Sequence, residues 1–319
     1  MVRYVPHNDI DFEKWDQCID LSVNGIFYAS SWYLNMTAPG WDALVEDDYQ
    51  TVMPLPHRKK LGFRYIFQPF FVQQLGVFST KSLSVEVIER FFNNTPSKFK
   101  LVDYSLNTFN MLEETAKVRI RPRLTHHLDL IEPYEVIRKR YASNTRRNIR
   151  KAEGQGVFVT EHGRPEEIIS AFRLNRGKNL SSFNETDYQL LKHLIYAGIH
   201  RGLAKIMTAY SVENTFCAGV VFFHSHNKTV LLFSGSTELS RENGAMFLII
   251  DEFIRKMAGK EMVLDFEGSS NPDLARFYKG FGSKECVFLQ VRMNNMPVGL
   301  RQLSEFYLHW QKRKRKSTD

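Results

Sequence analysis

Residues 264–282 read LDFEGSSNPDLARFYKGFG. A short alternating run ends in an acidic residue and a glycine, and a helical segment follows with Pro272 near its first position. The spacing predicts a strand over Met262–Phe266, a helix over Asn271–Gly280 and a last strand over Glu285–Met293. On the strand, Val263, Asp265 and Glu267 share one face while Leu264 and Phe266 share the other. Glu267 stands at the C-terminal end of its strand, where ligand sites of α/β sheets gather. A carboxylate there can take a proton from an attacking amine, or it can cap the next helix or pair with an arginine. Asp265 reads as structural. Tyr278 can protonate a leaving group. Lys279, three residues from Arg276 on the same helix, can hold a phosphate or simply face solvent.

The same strand-then-helix logic runs upstream. Expected strands cover Val157–Glu161, Ala204–Ser211, Phe216–His224 and Thr229–Ser234, and expected helices cover Pro165–Arg176, Asp187–Arg201 and Gly244–Met257. Three meandering strands followed by helix, strand, helix and strand make a mixed α/β plan. Residues 232–254, LFSGSTELSRENGAMFLIIDEFI, join one such strand to one such helix. The free N–H groups of a helix start suit a phosphate or an oxyanion. Ser234, Ser236, Arg241, Gly244, Ala245 and Met246 lie at this junction and are candidate anion-binding residues, with an ordinary packing turn as the alternative.

Residues 143–157, SNTRRNIRKAEGQGV, crowd Arg146, Arg147, Arg150 and Lys151 into six positions. Read as one helix, Ile137, Tyr141, Thr145, Ile149 and Ala152 form an apolar stripe with the basic residues opposite. Like charges four apart cost about 0.2–0.5 kcal/mol per pair, so helix propensity does not account for them. Either the face is solvated or it meets an anion, and Arg146, Arg147 and Arg150 are the candidates for that contact. Gly154 and Gly156 break the helix, which predicts a domain boundary there: one unit over residues 1–152, another over 153–298.

The first half is expected to hold helices over Phe12–Leu21, Ser31–Thr37 and Val85–Asn93. Its expected strands cover Trp41–Glu46, Thr51–His57, Tyr65–Phe67, Phe71–Val77, Phe99–Tyr104 and Leu124–Asp129. Gln73 and Gln74 interrupt the strand-forming run FQPFFVQQLG, where a polar side chain needs a partner, and either could bond a sugar hydroxyl or an amide. The chain ends with an expected helix over Leu300–Trp310, placed at residues 299–311 against the first domain, and a basic tail over 312–319.

At 319 residues the chain is long enough for two cores, and its 43% hydrophobic and 24% charged composition is that of an ordinary globular protein. Its three cysteines lie far apart without a CxxC spacing, which argues against a disulfide framework and for a reducing cytoplasm. The first residues contain no apolar signal core, and no run is long enough to span a bilayer. A net charge of +8 permits an anionic partner without requiring nucleic acid. His126 and His127 point to opposite faces of a strand, and His224 and His226 lack a third ligand, so no metal is expected.

The order of elements and three motifs, TRRNIRKAEGQGV, LFSGSTELSRENGAMFLIIDEFI and LDFEGSSNPDLARFYKGFG, resemble Fem-type (FemAB-like) peptidyltransferases and the wider Gcn5-related N-acetyltransferase (GNAT) superfamily. The resemblance covers nearly the whole chain and implies two tandem GNAT-like domains, each a mixed sheet flanked by helices. It implies a bacterial cytoplasmic acyltransferase using acyl-CoA or aminoacyl-tRNA as co-substrate, with a small-molecule or cell-envelope precursor as amine acceptor. Arg241, Gly244 and Ala245 partly match the acetyltransferase pattern R/Q-x-x-G-x-G/A, with Met246 in place of its last small residue. Trp32, Gln73 and Gln74 fall in the acceptor region of the first half. A module of the same fold that binds RNA or an anionic glycan without catalysis is the alternative.

Overall fold

A computed structural model describes residues 1–179, 183–268 and 271–296. The expected helix at 299–311 and the basic tail at 312–319 lie outside the described residues. The chain divides into two compact units, one of Met1–Arg123 with the segment from Val287, the other of Leu124–Cys286. The chain passes between them within two long strands, β8 (Val118–Asp129) and β14 (Lys284–Asn294).

The first unit contains β1 (Arg3–Val5), α1 (Phe12–Leu21), α2 (Ser31–Thr37), β2 (Asp42–Glu46), β3 (Thr51–Leu55), β4 (His57–Lys60), β5 (Phe63–Ile66), β6 (Phe78–Ser79), α3 (Val85–Asn93) and β7 (Phe99–Ser105). One sheet has the order β1-β2-β3-β6; in the other, β4, β5 and β7 are followed by the C-terminal part of β14. Asp11 caps α1 by accepting from the Lys14 N–H at 3.1 Å. Trp15, Cys18 and Ile19 then face inward, and the Trp15 ring meets Trp41 edge-on at 4.6 Å.

The expected strand over Phe71–Val77 does not form. Only Leu75 makes a bridge, to Leu106, and Phe71 and Gly76 have φ of +60° and +118°. Polar side chains capture this backbone instead of a ladder. Tyr33 donates to the Phe71 carbonyl at 2.6 Å, Gln68 to that of Val72 at 3.0 Å, and Asn107 to that of Leu75 at 3.0 Å.

The second unit takes over within β8 (Val118–Asp129). It continues through α4 (Tyr134–Lys139), α5 (Ser143–Gly154), β9 (Phe158–Thr160), α6 (Pro165–Leu174), α7 (Glu185–His200), β10 (Ala204–Tyr210), β11 (Phe216–Ser225), β12 (Lys228–Ser236), α8 (Glu238–Asn243), α9 (Ala245–Met257), β13 (Val263–Asp265), α10 (Pro272–Lys279) and the start of β14 (Lys284–Asn294). Its strand order is β8-β13-β12-β11-β10-β9. Among the described pairings in this order, β12 with β13 is parallel and the others are antiparallel, as expected of a mixed sheet.

Two sequence expectations shift here. The single helix through residues 137–152 is two helices, because the Ala142 N–H donates to the Gly280 carbonyl at 2.9 Å rather than continuing α4. The stripe survives the break: Ile137, Tyr141, Thr145, Ile149 and Ala152 are all buried. The division of the chain falls at Arg123/Leu124, not at residue 152. Long-range packing, not the glycine corner, sets it: α5 lies against α9, and the end of β8 pairs with β13.

The sheet is covered on both faces. Phe253 of α9 stacks on Phe222 at 3.9 Å, and Phe172 of α6 meets Phe233 at 4.7 Å. Under α6, the cross-strand pair Gly219 and Gly235 has no side chains to hold the helix away. A Cβ on Gly235 would lie 2.1 Å from the Ile168 carbonyl oxygen.

Candidate active site

Strands β12 and β13 pair only where Lys228–Val230 faces Val263–Asp265. Beyond that, β12 runs on to Ser236 while β13 stops at Asp265, so the two strands part. Within the described residues of β12 from Val230 to Ser236, Leu232 alone has no register partner on β11; it is the extra residue of a β-bulge. The parting begins at Asp265, and Glu267 follows two residues later.

Asp265 is 1% exposed, and its carboxylate makes three hydrogen bonds and one ion pair. Its Oδ1 accepts from the Thr125 hydroxyl at 2.5 Å and from the Glu267 N–H at 3.1 Å. Its Oδ2 lies 2.9 Å from His127 Nε2 and 3.6 Å from Lys228 Nζ. Burial alone would raise the pKa of this carboxyl, but the His127 hydrogen bond, the Lys228 charge and the Thr125 hydroxyl outweigh it and hold the group at about 2. Its folded pKa therefore lies below the usual carboxylate value, so the stabilisation is present above about pH 4 and fades as the pH falls toward 2. Asp265→Asn is expected to remove about 2 kcal/mol of stability at neutral pH and to flatten this acid limb, checked by urea unfolding from pH 7 down.

Glu267 is half-buried and has left the strand: its φ is +50°, in the left-handed region that side chains other than glycine rarely occupy. Alternation alone places it on the strand face of Val263 and Asp265; the strand stops short because Asp265 captures its N–H. Gly268 follows with φ +62°, and a Cβ there would lie 3.6 Å from the Tyr278 hydroxyl. Tyr278 is buried and stacked on Phe266 at 4.8 Å. Burial pushes its pKa up, Arg176 draws it down, and the Glu267 and Asp265 carboxylates push it further up, so the phenol stays protonated. One turn thus brings a carboxylate residue and a protonated phenol together.

The other candidates divide. Lys279 pairs with Glu285 at 2.6 Å, so its ammonium already has an acidic partner. The Gly244 N–H donates to the Ser240 carbonyl at 3.0 Å, and the Ala245 N–H donates to Asn243 Oδ1 at 3.0 Å. Neither amide is left for an oxyanion, which corrects that expectation. Gly244 instead ends α8 with φ +79° and lets α5 approach, since a Cβ there would sit 2.5 Å from the Asn148 carbonyl oxygen. Met246 packs against the core, Ser234 is half-buried, and the Ser236 carbonyl accepts from Asn175 at 2.5 Å. Arg241 is exposed.

Arg146, Arg147, Arg150 and Lys151 are all exposed on α5. Arg147 donates to Asn144 Oδ1 at 2.8 Å and Arg150 to the Arg146 carbonyl at 3.4 Å; among the described residues none of the four has an ion pair. In the first unit, Gln74 is buried and donates to Gln73 Oε1 at 2.7 Å, while its own Oε1 is buried without a partner. Trp32 is half-buried with its ring edge-on to Tyr33 at 5.2 Å. His224 donates or accepts at Thr229 Oγ1 across 2.7 Å, and burial, with Lys205 and Lys260, lowers its pKa to about 4. Among the described residues no three His, Cys, Asp or Glu side chains are grouped to hold a metal ion.

Local sequence does not reveal the partners of Asp265. Strand alternation puts Thr125 and His127 on one face of β8, but only the pairing of Asp265 with His127 brings them to the carboxylate.

No family model and no curated protein matches the sequence. Solved structures do match the fold. FemX has a TM-score of 0.63 at 12% identity, over 92% of this chain and 98% of that one. L-PGS from Bacillus licheniformis has 0.51 at 12%, over 94% and 96%. A C-terminal domain assigned to a lysylphosphatidylglycerol synthetase of Agrobacterium fabrum has 0.54 at 9%, over 89% and 91%. This chain shares the fold of FemX and of these two other structures. At such identities the likeness speaks to architecture alone, and the chemistry has to be argued from the residues. Among the described residues no helix is long and apolar enough to cross a membrane.

Proposed function

We propose that this protein is an N-acyltransferase. It moves an acyl or aminoacyl group from acyl-CoA or an aminoacyl-tRNA to an amine, with a cell-envelope peptide or sugar precursor as one class of acceptor. The observation that carries this reading is the Glu267–Gly268 turn at the parting of β12 and β13, with the Tyr278 hydroxyl beside it.

The chemistry follows from what an amine needs. An ammonium gives up one proton to solvent before its nitrogen can attack, and Glu267 accepts the second as the nitrogen bonds to the carbonyl carbon. The C–O bond of an ester donor, or the C–S bond of a thioester, then breaks, and Tyr278 gives its proton to the leaving oxygen or sulfur. Both residues return to their starting states by proton exchange with solvent. The reading uses no cofactor beyond the donor itself. The basic face of α5, with Arg241, offers charge to an anionic donor or acceptor.

A thermal-shift screen against acetyl-CoA, an aminoacyl-tRNA and a nucleotide-sugar peptide, followed by transfer of a radiolabelled acyl group, tests this reading, since a ligand held only by the native state raises the melting temperature. The exposed arginines of α5 favour a second reading, a non-catalytic module for RNA or an anionic glycan. Steeply salt-dependent RNA binding with no transfer would select it.

Arg146→Ala with Arg150→Ala separates a binding face from a solvated one. Both side chains are exposed, so truncation opens no cavity, and removing two like charges at i,i+4 stabilises the free protein by about 0.2–0.5 kcal/mol. Each charge-assisted hydrogen bond to a ligand contributes about 1.5–3 kcal/mol. The double variant is expected to keep its melting temperature and to lose at least about tenfold in affinity for the anionic ligand, measured by calorimetry. Unaltered affinity would mark α5 as a solvated face.

A further inference from the structure

We propose that Asp265 is the positioning residue for Glu267, holding the turn in which the carboxylate of Glu267 works. This inference rests on the reading of Glu267 as proton acceptor. The Glu267 N–H donates to Asp265 Oδ1 at 3.1 Å, and Glu267 sits at φ +50°. A residue with a Cβ stays in that region only when its surroundings hold it there. An ionised carboxylate is a stronger acceptor for a backbone N–H than a neutral group.

Asp265 is itself fixed from two neighbouring strands. Thr125 and His127 of β8 reach it at 2.5 and 2.9 Å, and Lys228 of β12 at 3.6 Å. One oxygen thus holds the turn, shared with a hydroxyl, while the other is held by an imidazole and an ammonium. Asp265 is also the last residue of β13 to pair with β12. The group that ties three strands together therefore stands where β12 and β13 part, and it holds the Glu267 N–H. Gly268, next in the same turn, approaches the Tyr278 hydroxyl, so the geometry Asp265 holds is shared by the proposed base and the proposed acid.

A double-mutant cycle reads this directly. Asp265→Asn, Glu267→Gln and the double variant are compared in single-turnover transfer from radiolabelled alanyl-tRNA and from acetyl-CoA to glycinamide, with unfolding measured alongside. If Asp265 acts through Glu267, Asp265→Asn lowers the transfer rate at saturating donor by about tenfold or more with the donor KM little changed, and adds nothing to Glu267→Gln. A purely structural role would multiply the two losses, and that result overturns the inference alone. If Asp265→Asn does not fold, His127→Ala takes its place, since it loosens the same carboxylate from a partly exposed position; it should slow the wild-type background and leave Glu267→Gln unchanged. An unchanged rate in Glu267→Gln, or no transfer by the wild-type chain from either donor, would overturn the reading of Glu267 and this inference together.

Discussion

Glu267→Gln is expected to slow acyl transfer by about 10²–10⁴-fold, the usual loss when a general base is removed. The substitution keeps the shape of the side chain and the backbone N–H that binds Asp265, so stability should change by less than about 0.5 kcal/mol. The two effects therefore separate in one experiment. Transfer by the wild type and by the Gln variant is compared across a pH series. A rate that stays the same across the pH series would remove Glu267 from the mechanism. Tyr278→Phe supplies the matching control on the leaving-group side, because the phenol is protonated at every pH of the series.

Gly244→Ala should be among the most damaging single substitutions in the second unit. Two costs add. The backbone at φ +79° disfavours any side chain by about 1–2 kcal/mol. The new Cβ would also lie 2.5 Å from the Asn148 carbonyl oxygen, which belongs to the backbone of α5 and cannot rotate away. Forcing such an approach apart costs about a further 1–3 kcal/mol. A total of about 2–5 kcal/mol is a large part of the roughly 5–15 kcal/mol that holds a typical domain together. Gly259 makes the comparison clean: its φ is +80°, but a Cβ there would meet nothing within 4 Å. Gly259→Ala should lose only the conformational part in urea unfolding. Equal losses at the two positions would show that the contact with α5 costs nothing. The expected difference explains why a glycine stands at a position that resembles a phosphate-binding motif: it lets two helices touch.

Local patterns carried much of the fold. The stripe from Ile137 to Ala152 was legible because side-chain direction repeats every three to four residues in a helix, and it held even across the break at Ala142. The alternation in β13 was legible for the same kind of reason: Leu264 and Phe266 join the apolar core, while Asp265, on the other face, is buried against polar partners. The order of strands and helices was written in these periods. The approach of Gly268 to the Tyr278 hydroxyl was not. Thr125 and His127 lie 140 and 138 residues from Asp265, and only strand register makes them its partners. The same holds for Lys279, whose charge is taken by Glu285, and for the Gly244 and Ala245 amides, which are taken by α8. Periodicity is a property of one segment's dihedral angles and can be read along the chain. Register, the parting of two strands and the partner of a buried charge depend on which segments come together in space, and that is decided only when the whole core packs.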